Sequence, residues 1–186
     1  MQLLPSGIKR SDFYSIPNIL GYFRIALIPV FMTFIVTADG KSDYYWAAAV
    51  VMISTITDFL DGLIARTFHQ VTALGVLLDP VADKLTHMAL AIGLVFRYPL
   101  MGVVIGVMVV KEGFMFVMGL VKLQSGKQLG GAKWFGKVCT AAVYLIMFTL
   151  LLWVEMPLNV ANGLFTLAIV LLGATMAMYI PVFAKM

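Results

Sequence analysis

Four aspartates, Asp58, Asp61, Asp79 and Asp83, fall within 26 residues of a chain that has only nine Asp plus Glu. Their surroundings are apolar on both sides. A single charge at the centre of a bilayer costs about 2.5–3.5 kcal/mol on insertion scales. Four carboxylates together would also repel one another. Such a cluster persists where something cationic neutralises it, and a bound divalent metal is the obvious candidate. Carboxylates gathered in this way at a membrane surface point to chemistry on a phosphorylated substrate.

The stretch reads Thr57-Asp58-Phe59-Leu60-Asp61-Gly62-Leu63-Ile64-Ala65-Arg66, then eight residues, then Gly75-Val76-Leu77-Leu78-Asp79-Pro80-Val81-Ala82-Asp83-Lys84. On helices, spacings of three and four put Asp58 with Asp61, and Asp79 with Asp83, on one face each. If one helix ends near Thr67 and the next begins near Ala73, Asp61 and Asp79 each lie roughly 9 Å from the turn, and Asp58 and Asp83 roughly 13–15 Å from it. The pairs then meet at matched depths across an antiparallel hairpin, in one pocket that opens to the cytoplasm. Four carboxylates there suit a two-metal site with ions about 3.5–4 Å apart. Hard oxygen donors, without a His or Cys cluster, favour Mg²⁺ or Mn²⁺ over zinc. Small residues at Gly62, Ala65 and Gly75 would let a nucleotide or diphosphate approach the helix backbones, and Arg66 at the rim could hold a phosphate oxygen through its planar fork. The same carboxylates could instead serve a cation-coupled transporter, the reading from a different class.

The elements that must position these residues are membrane helices. Hydrophobic residues make up 62% of the 186 and the mean hydropathy is +0.99, which excludes an ordinary soluble globule. Six apolar stretches, near 17–37, 44–67, 73–96, 99–121, 134–154 and 159–183, are long enough to span a bilayer. They predict an all-α polytopic protein with six transmembrane helices, read as a single domain over 1–186. No run reads as a strand, and Met1 to Ser15 does not read as a secretory signal, so the first apolar run is expected to be a retained helix. Phe13, Tyr14 and Ile16 among charges before Pro17 could form an interfacial helix. Lys9, Arg10, Arg66, Lys122, Lys127, Lys133, Lys137 and Lys185 collect on one side, against Lys41 and Arg97 on the other. Both termini and the pocket should therefore face the cytoplasm, at a plasma membrane. The single cysteine, Cys139, excludes an intrachain disulfide framework.

Asp58 to Asp83 resembles the CDP-alcohol phosphatidyltransferase signature D-x-x-D-G-x-x-A-R, eight residues, G-x-x-x-D-x-x-x-D, with every fixed position filled. Ile16-Pro17-Asn18-Ile19-Leu20 with Arg24 and Pro29 is similar to the first helix of that family, and the six-helix layout agrees. The resemblance implies a metal-dependent enzyme in which an alcohol attacks the phosphorus joining diacylglycerol to CMP, CMP leaves, and a new phospholipid forms. Carried over by position, Asp58, Asp61, Asp79 and Asp83 would be metal ligands, with Asp83 also taking the proton from the acceptor hydroxyl. Asp58, Gly62, Ala65, Arg66 and Gly75 would line the nucleotide site. The resemblance also implies a homodimer and gives no role to nucleic acid.

Within the family, Leu78-Asp79-Pro80-Val81-Ala82-Asp83-Lys84 and Gly136-Lys137 with Thr140 look like the phosphatidylglycerophosphate synthase and cardiolipin synthase branch. Glycerol-phosphate enzymes of that branch carry an Arg-Glu pair in helix four with another Arg two turns on, and a Gly-Lys-x-Lys-Thr start to helix five. This chain has Lys111-Glu112, then Met118, and Gly136-Lys137-Val138-Cys139-Thr140. The leading acceptor is glycerol 3-phosphate, held by Lys111, Lys133 and Lys137. The missing basic positions leave phosphatidylglycerol open as acceptor, which would make cardiolipin. His87, four residues after Asp83, reads as a packing or hydrogen-bonding residue, and Gly102 with Gly106 as a helix-packing or dimer seam.

Overall fold

The computed structural model describes residues 10–68, 70–124 and 133–184, and among these every regular element is a helix. One 3₁₀ turn, Arg10–Tyr14, precedes six α-helices: α1 Ile16–Val36, α2 Lys41–Thr67, α3 Ala73–Val95, α4 Met101–Gln124, α5 Trp134–Leu152 and α6 Leu158–Ala184. Each corresponds to one of the expected spans. All but α3 are long and apolar enough to cross a membrane with few charges. α3 carries Asp79, Asp83 and Lys84 near its middle, so its apolar run is interrupted by the residues of chemical interest. The protein is an integral membrane protein. Lys9, Lys127 and Lys185, counted among the cytoplasmic cations, lie outside the described residues, as does most of the turn expected before Gly131.

Local signals set the helix ends. Pro17 stands in the first turn of α1, where its missing N–H is no loss. The Asp43 carboxylate accepts hydrogen bonds from the backbone N–H groups of Asp39 (3.0 Å) and Gly40 (3.1 Å), which closes the start of α2. The segment ahead of α1 forms one short turn whose Asp12 carbonyl accepts from the Ser15 hydroxyl (3.1 Å) and from the Asn18 amide (2.6 Å). Pro80 lies two turns inside α3 and removes the N–H that would have bonded the Val76 carbonyl.

The chain divides into two compact units, Met1–Gly93 and Leu94–Met186. In the first, α1 runs against α2 and lies close to α3 through small residues. A Cβ at Gly21 would stand 2.8 Å from the Leu78 side chain, and one at Gly93 would stand 3.0 Å from the Phe31 ring. Glycine at these points lets backbone and side chain approach closely without a polar group to drive association. In the second unit, α6 packs against both α4 and α5. Its contacts are aromatic: Phe165 meets the Tyr98 ring edge-on at 5.6 Å, Phe183 meets Phe114 at 6.0 Å, and Tyr179 meets Phe135 at 4.7 Å. The Tyr179 hydroxyl also accepts from the Lys133 backbone N–H (3.2 Å), anchoring the start of α5.

Candidate active site

The carboxylates lie at the depth the spacing predicts. Counting rise along each helix, Asp58 is about 14 Å from the end of α2 and Asp83 about 15 Å from the start of α3. Asp61 and Asp79 are each about 9 Å from those ends. Between them stands a residue that spacing alone did not place: Arg24, about 12 Å along α1 and 1% exposed. Its Nη1 bonds Oδ1 of both Asp58 and Asp83, and its Nη2 bonds Oδ2 of Asp61. Asp58 and Asp83, the pair expected at one depth, thus share a single nitrogen. The cation neutralising the cluster here is a guanidinium, and it ties the first helix to the next two.

Asp79 stands apart from that grip. Its Oδ1 is buried and has no hydrogen-bond partner. Asp61 is buried, whereas the side chains of Asp58 and Asp83 keep 45% and 46% of their surface open. Among the described residues, no group of three or more His, Cys, Asp or Glu is drawn together in a metal-ligand arrangement. The donor chemistry nonetheless fits a hard divalent ion: carboxylate oxygens from two helices, two of them accessible and one buried and unsatisfied. Asp58, Asp61, Asp79 and Asp83 are the residues that could hold it.

Asp58, Asp61 and Asp79 line a cavity of about 440 Å³ together with Gly62, Ala65, Arg66 and Gly75. The volume lies in the range of small-ligand sites. All five residues expected at a nucleotide site face this one space. The two glycines differ in what they permit. A Cβ at Gly62 would meet only the Arg66 guanidinium, at 3.6 Å, so this wall is open to a ligand. A Cβ at Gly75 would lie 2.7 Å from Asn18 Oδ1, so here the room is already taken by the protein. Arg66 donates from Nε to the Gly62 carbonyl (2.8 Å), which fixes the plane of its fork at an exposed rim.

Asn18 is fully buried, and with Thr72 it forms the wall that sequence reasoning did not assign. The Asn18 amide donates to Thr72 Oγ1 (2.9 Å), and the Gly75 N–H donates to the same oxygen (3.0 Å). This knot fastens the beginning of α1 to the beginning of α3. The signal for Asn18 and Arg24 was present: an Asn and a lone Arg in a 21-residue apolar helix require polar partners. Asp83 does not line the cavity, though it shares Arg24 with Asp58 and Asp61, which do. His87 Nδ1 lies 2.8 Å from the Asp83 backbone carbonyl, a hydrogen-bonding role within its own helix.

The expected acceptor lysines belong to the second unit. Lys111, 6% exposed, pairs with the neighbouring Glu112 (2.9 Å) within α4, while Lys133 and Lys137 are exposed at the start of α5. Gly136, beside Lys137, is packed so tightly that a Cβ there would collide with the Tyr179 hydroxyl. Gly102 and Gly106 have nothing within 4 Å of where a Cβ would stand among the described residues.

The structure is thus that of a membrane protein of six helices in which acidic side chains from two of them stand beside a cavity of small-ligand size. Residues 14–180 match the CDP-alcohol phosphatidyltransferase family model, and the chain belongs to that family. It is similar to a CDP-diacylglycerol–glycerol-3-phosphate 3-phosphatidyltransferase of Shigella flexneri serotype 5b, with 33% identity over 175 residues, covering 90% of this chain and 93% of that protein. The enzyme of the same name from Pectobacterium atrosepticum is 33% identical over 146 residues, covering 74% of this chain and 77% of the relative. A cardiolipin synthase (CMP-forming) of Streptomyces coelicolor is 34% identical over 142 residues, covering 75% of this chain and 66% of its own length. The enzyme reading therefore stands over the transporter reading, and the chain is a phosphatidyltransferase.

Proposed function

We propose that the protein transfers the phosphatidyl group of CDP-diacylglycerol to glycerol 3-phosphate, releasing CMP and forming phosphatidylglycerophosphate. The observation that carries the donor half is the cavity in which Asp58, Asp61 and Asp79 stand with Gly62, Ala65, Arg66 and Gly75. The acceptor half is supported by the glycerol-3-phosphate relative, whose likeness runs through nine-tenths of the chain. We read residues 1–186 as one catalytic domain, working as a homodimer with its site and both termini on the cytoplasmic side of the plasma membrane.

In this reading the CDP moiety lies along the open wall at Gly62 and Ala65, and the Arg66 fork meets a phosphate oxygen at the rim. Asp58, Asp61, Asp79 and Asp83 would hold Mg²⁺ or Mn²⁺, two ions for four carboxylates. Bound there, the metal supplies charge neutralisation for the diphosphate and for the departing CMP oxygen. Asp83, with nearly half its side chain open, takes the proton from the acceptor hydroxyl. The acceptor oxygen bonds to the phosphorus attached to diacylglycerol as the bond from that phosphorus to the CMP oxygen breaks. Lys111, Lys133 and Lys137 supply positive charge for a phosphorylated acceptor.

A second reading, cardiolipin synthesis from phosphatidylglycerol, is favoured by the Streptomyces relative and by Met118 and Cys139, which stand where a glycerol-phosphate enzyme carries basic residues. The test is CMP release by purified protein with CDP-diacylglycerol and Mg²⁺ across glycerol 3-phosphate, phosphatidylglycerol, inositol phosphate and serine. Release with glycerol 3-phosphate alone is expected. Release with phosphatidylglycerol alone would replace the first reading by the second.

A further inference from the structure

Arg24 carries no charge-pair role in the reaction as derived above, yet its guanidinium sits among the carboxylates a metal would need. Its Nη atoms contact Asp58 Oδ1, Asp83 Oδ1 and Asp61 Oδ2 together. Among the described residues no other group hydrogen-bonds the guanidinium, and Nε is buried without a hydrogen-bond partner. Beside it is a second, very small cavity of about 10 Å³, lined by Arg24, Ser54 and Thr86 among apolar side chains, and the Ser54 hydroxyl is likewise buried without a partner. The arginine is therefore held by the three carboxylates and by no other polar group of the described protein.

We propose that Arg24 is a resident counter-cation of the carboxylate cluster, which holds Asp58, Asp61 and Asp83 together when metal is not bound and competes with the metal for them. This inference rests on the assignment of the four aspartates as metal ligands. Its logic is electrostatic. A guanidinium in contact with three carboxylate oxygens repels a divalent ion brought to the same oxygens, and so lowers the affinity for it. Without Arg24 or metal, the four negative charges on α2 and α3 would repel one another across an apolar interior. Arg24 thus makes the metal-free protein stable and sets how much metal the site requires. It acts through the carboxylates and is a positioning residue. Because the guanidinium has no other anchor, a metal that takes the carboxylates releases it without breaking a further bond.

The test is Mn²⁺ binding, read by electron paramagnetic resonance on the full-length protein in nanodiscs without substrate, together with thermal unfolding with and without Mn²⁺. Arg24→Gln should bind Mn²⁺ about tenfold tighter than the wild type, as expected for removing one like charge from the site. Its unfolding midpoint should fall in EDTA and recover with Mn²⁺, a rescue far larger than in the wild type. Equal or weaker Mn²⁺ binding by Arg24→Gln would overturn the proposal. Arg24→Lys, which keeps the charge and loses the fork, covers the case in which the Gln variant cannot be purified. It should bind Mn²⁺ no more weakly than the wild type, and weaker binding would again overturn the proposal. Asp79→Asn separates the two levels of inference, because Asp79 is not held by Arg24. Wild-type Mn²⁺ affinity in that variant would overturn the ligand assignment itself, whereas a loss there with no gain in Arg24→Gln would overturn only the role of Arg24.

Discussion

Asp83→Asn keeps the side chain's shape and removes its ability to take a proton. If Asp83 is the general base, turnover should fall by about 10²–10⁴-fold, a larger loss than any weakening of CDP-diacylglycerol binding at saturating Mg²⁺. Rates measured beside equilibrium binding check this, and a variant with normal turnover would remove Asp83 from the base role. The two glycines of the cavity make a sharper pair. Gly62→Ala adds a methyl into open ligand space, so it should raise KM for CDP-diacylglycerol and leave the unfolding midpoint unchanged. Gly75→Ala drives a methyl to within 2.7 Å of Asn18 Oδ1, so it should cost about 1–3 kcal/mol of stability by overpacking. Parallel thermal melts and kinetics on the two variants distinguish a wall that faces substrate from one that faces protein. The sequence made both glycines look alike, because each stands at a helical spacing from an aspartate. Only the position of Asn18, more than fifty residues earlier, separates them. Separation in sequence likewise kept Arg24 from view: the four aspartates were legible from their spacing, whereas the partner that joins three of them comes from another helix.

At the scale of the element, helix ends were legible because polar and turn-forming residues interrupt long apolar runs. Asp43 is one such signal with a mechanism. Asp43→Ala removes the acceptor for the Asp39 and Gly40 N–H groups, and should destabilise the start of α2 by about 1 kcal/mol, seen as faster hydrogen exchange at residues 39–43. Gly136 was legible only as part of a Gly-Lys pair, and its packing against Tyr179 was not. Its replacement by Ala should displace the Tyr179 hydroxyl from the Lys133 N–H and lower the unfolding midpoint. A conservative exchange at the neighbouring Lys137, which is exposed, should not. Pro80 lies two turns inside α3, whose start at Ala73 the apolar run predicted, and the first turn is closed by the Gly75 N–H donating to the Thr72 hydroxyl.

For the whole molecule, composition and the periodic apolar runs made a polytopic membrane protein plain, and one continuous motif made the family plain. The orientation rests on the cationic loops. Single cysteines placed at Lys133 and at Lys41 in a Cys139→Ser background check it. A membrane-impermeant maleimide should label position 133 only from the cytoplasmic face and position 41 only from the opposite face. Labelling in the reverse sense would put the carboxylate cavity on the other leaflet. The acceptor was the least legible feature. Lysines at 111, 133 and 137 are separated along two helices, and their charge alone does not distinguish a small phosphate from a lipid phosphodiester.

The central claim is metal-dependent phosphatidyl transfer at the four aspartates, and CMP release from CDP-diacylglycerol with glycerol 3-phosphate tests it most directly. In purified protein with Mg²⁺, CMP and phosphatidylglycerophosphate should appear in equal amounts, stop on addition of EDTA, and resume when Mg²⁺ is restored. Release that persists in EDTA, or that survives Asp79→Asn at the wild-type rate, would contradict it.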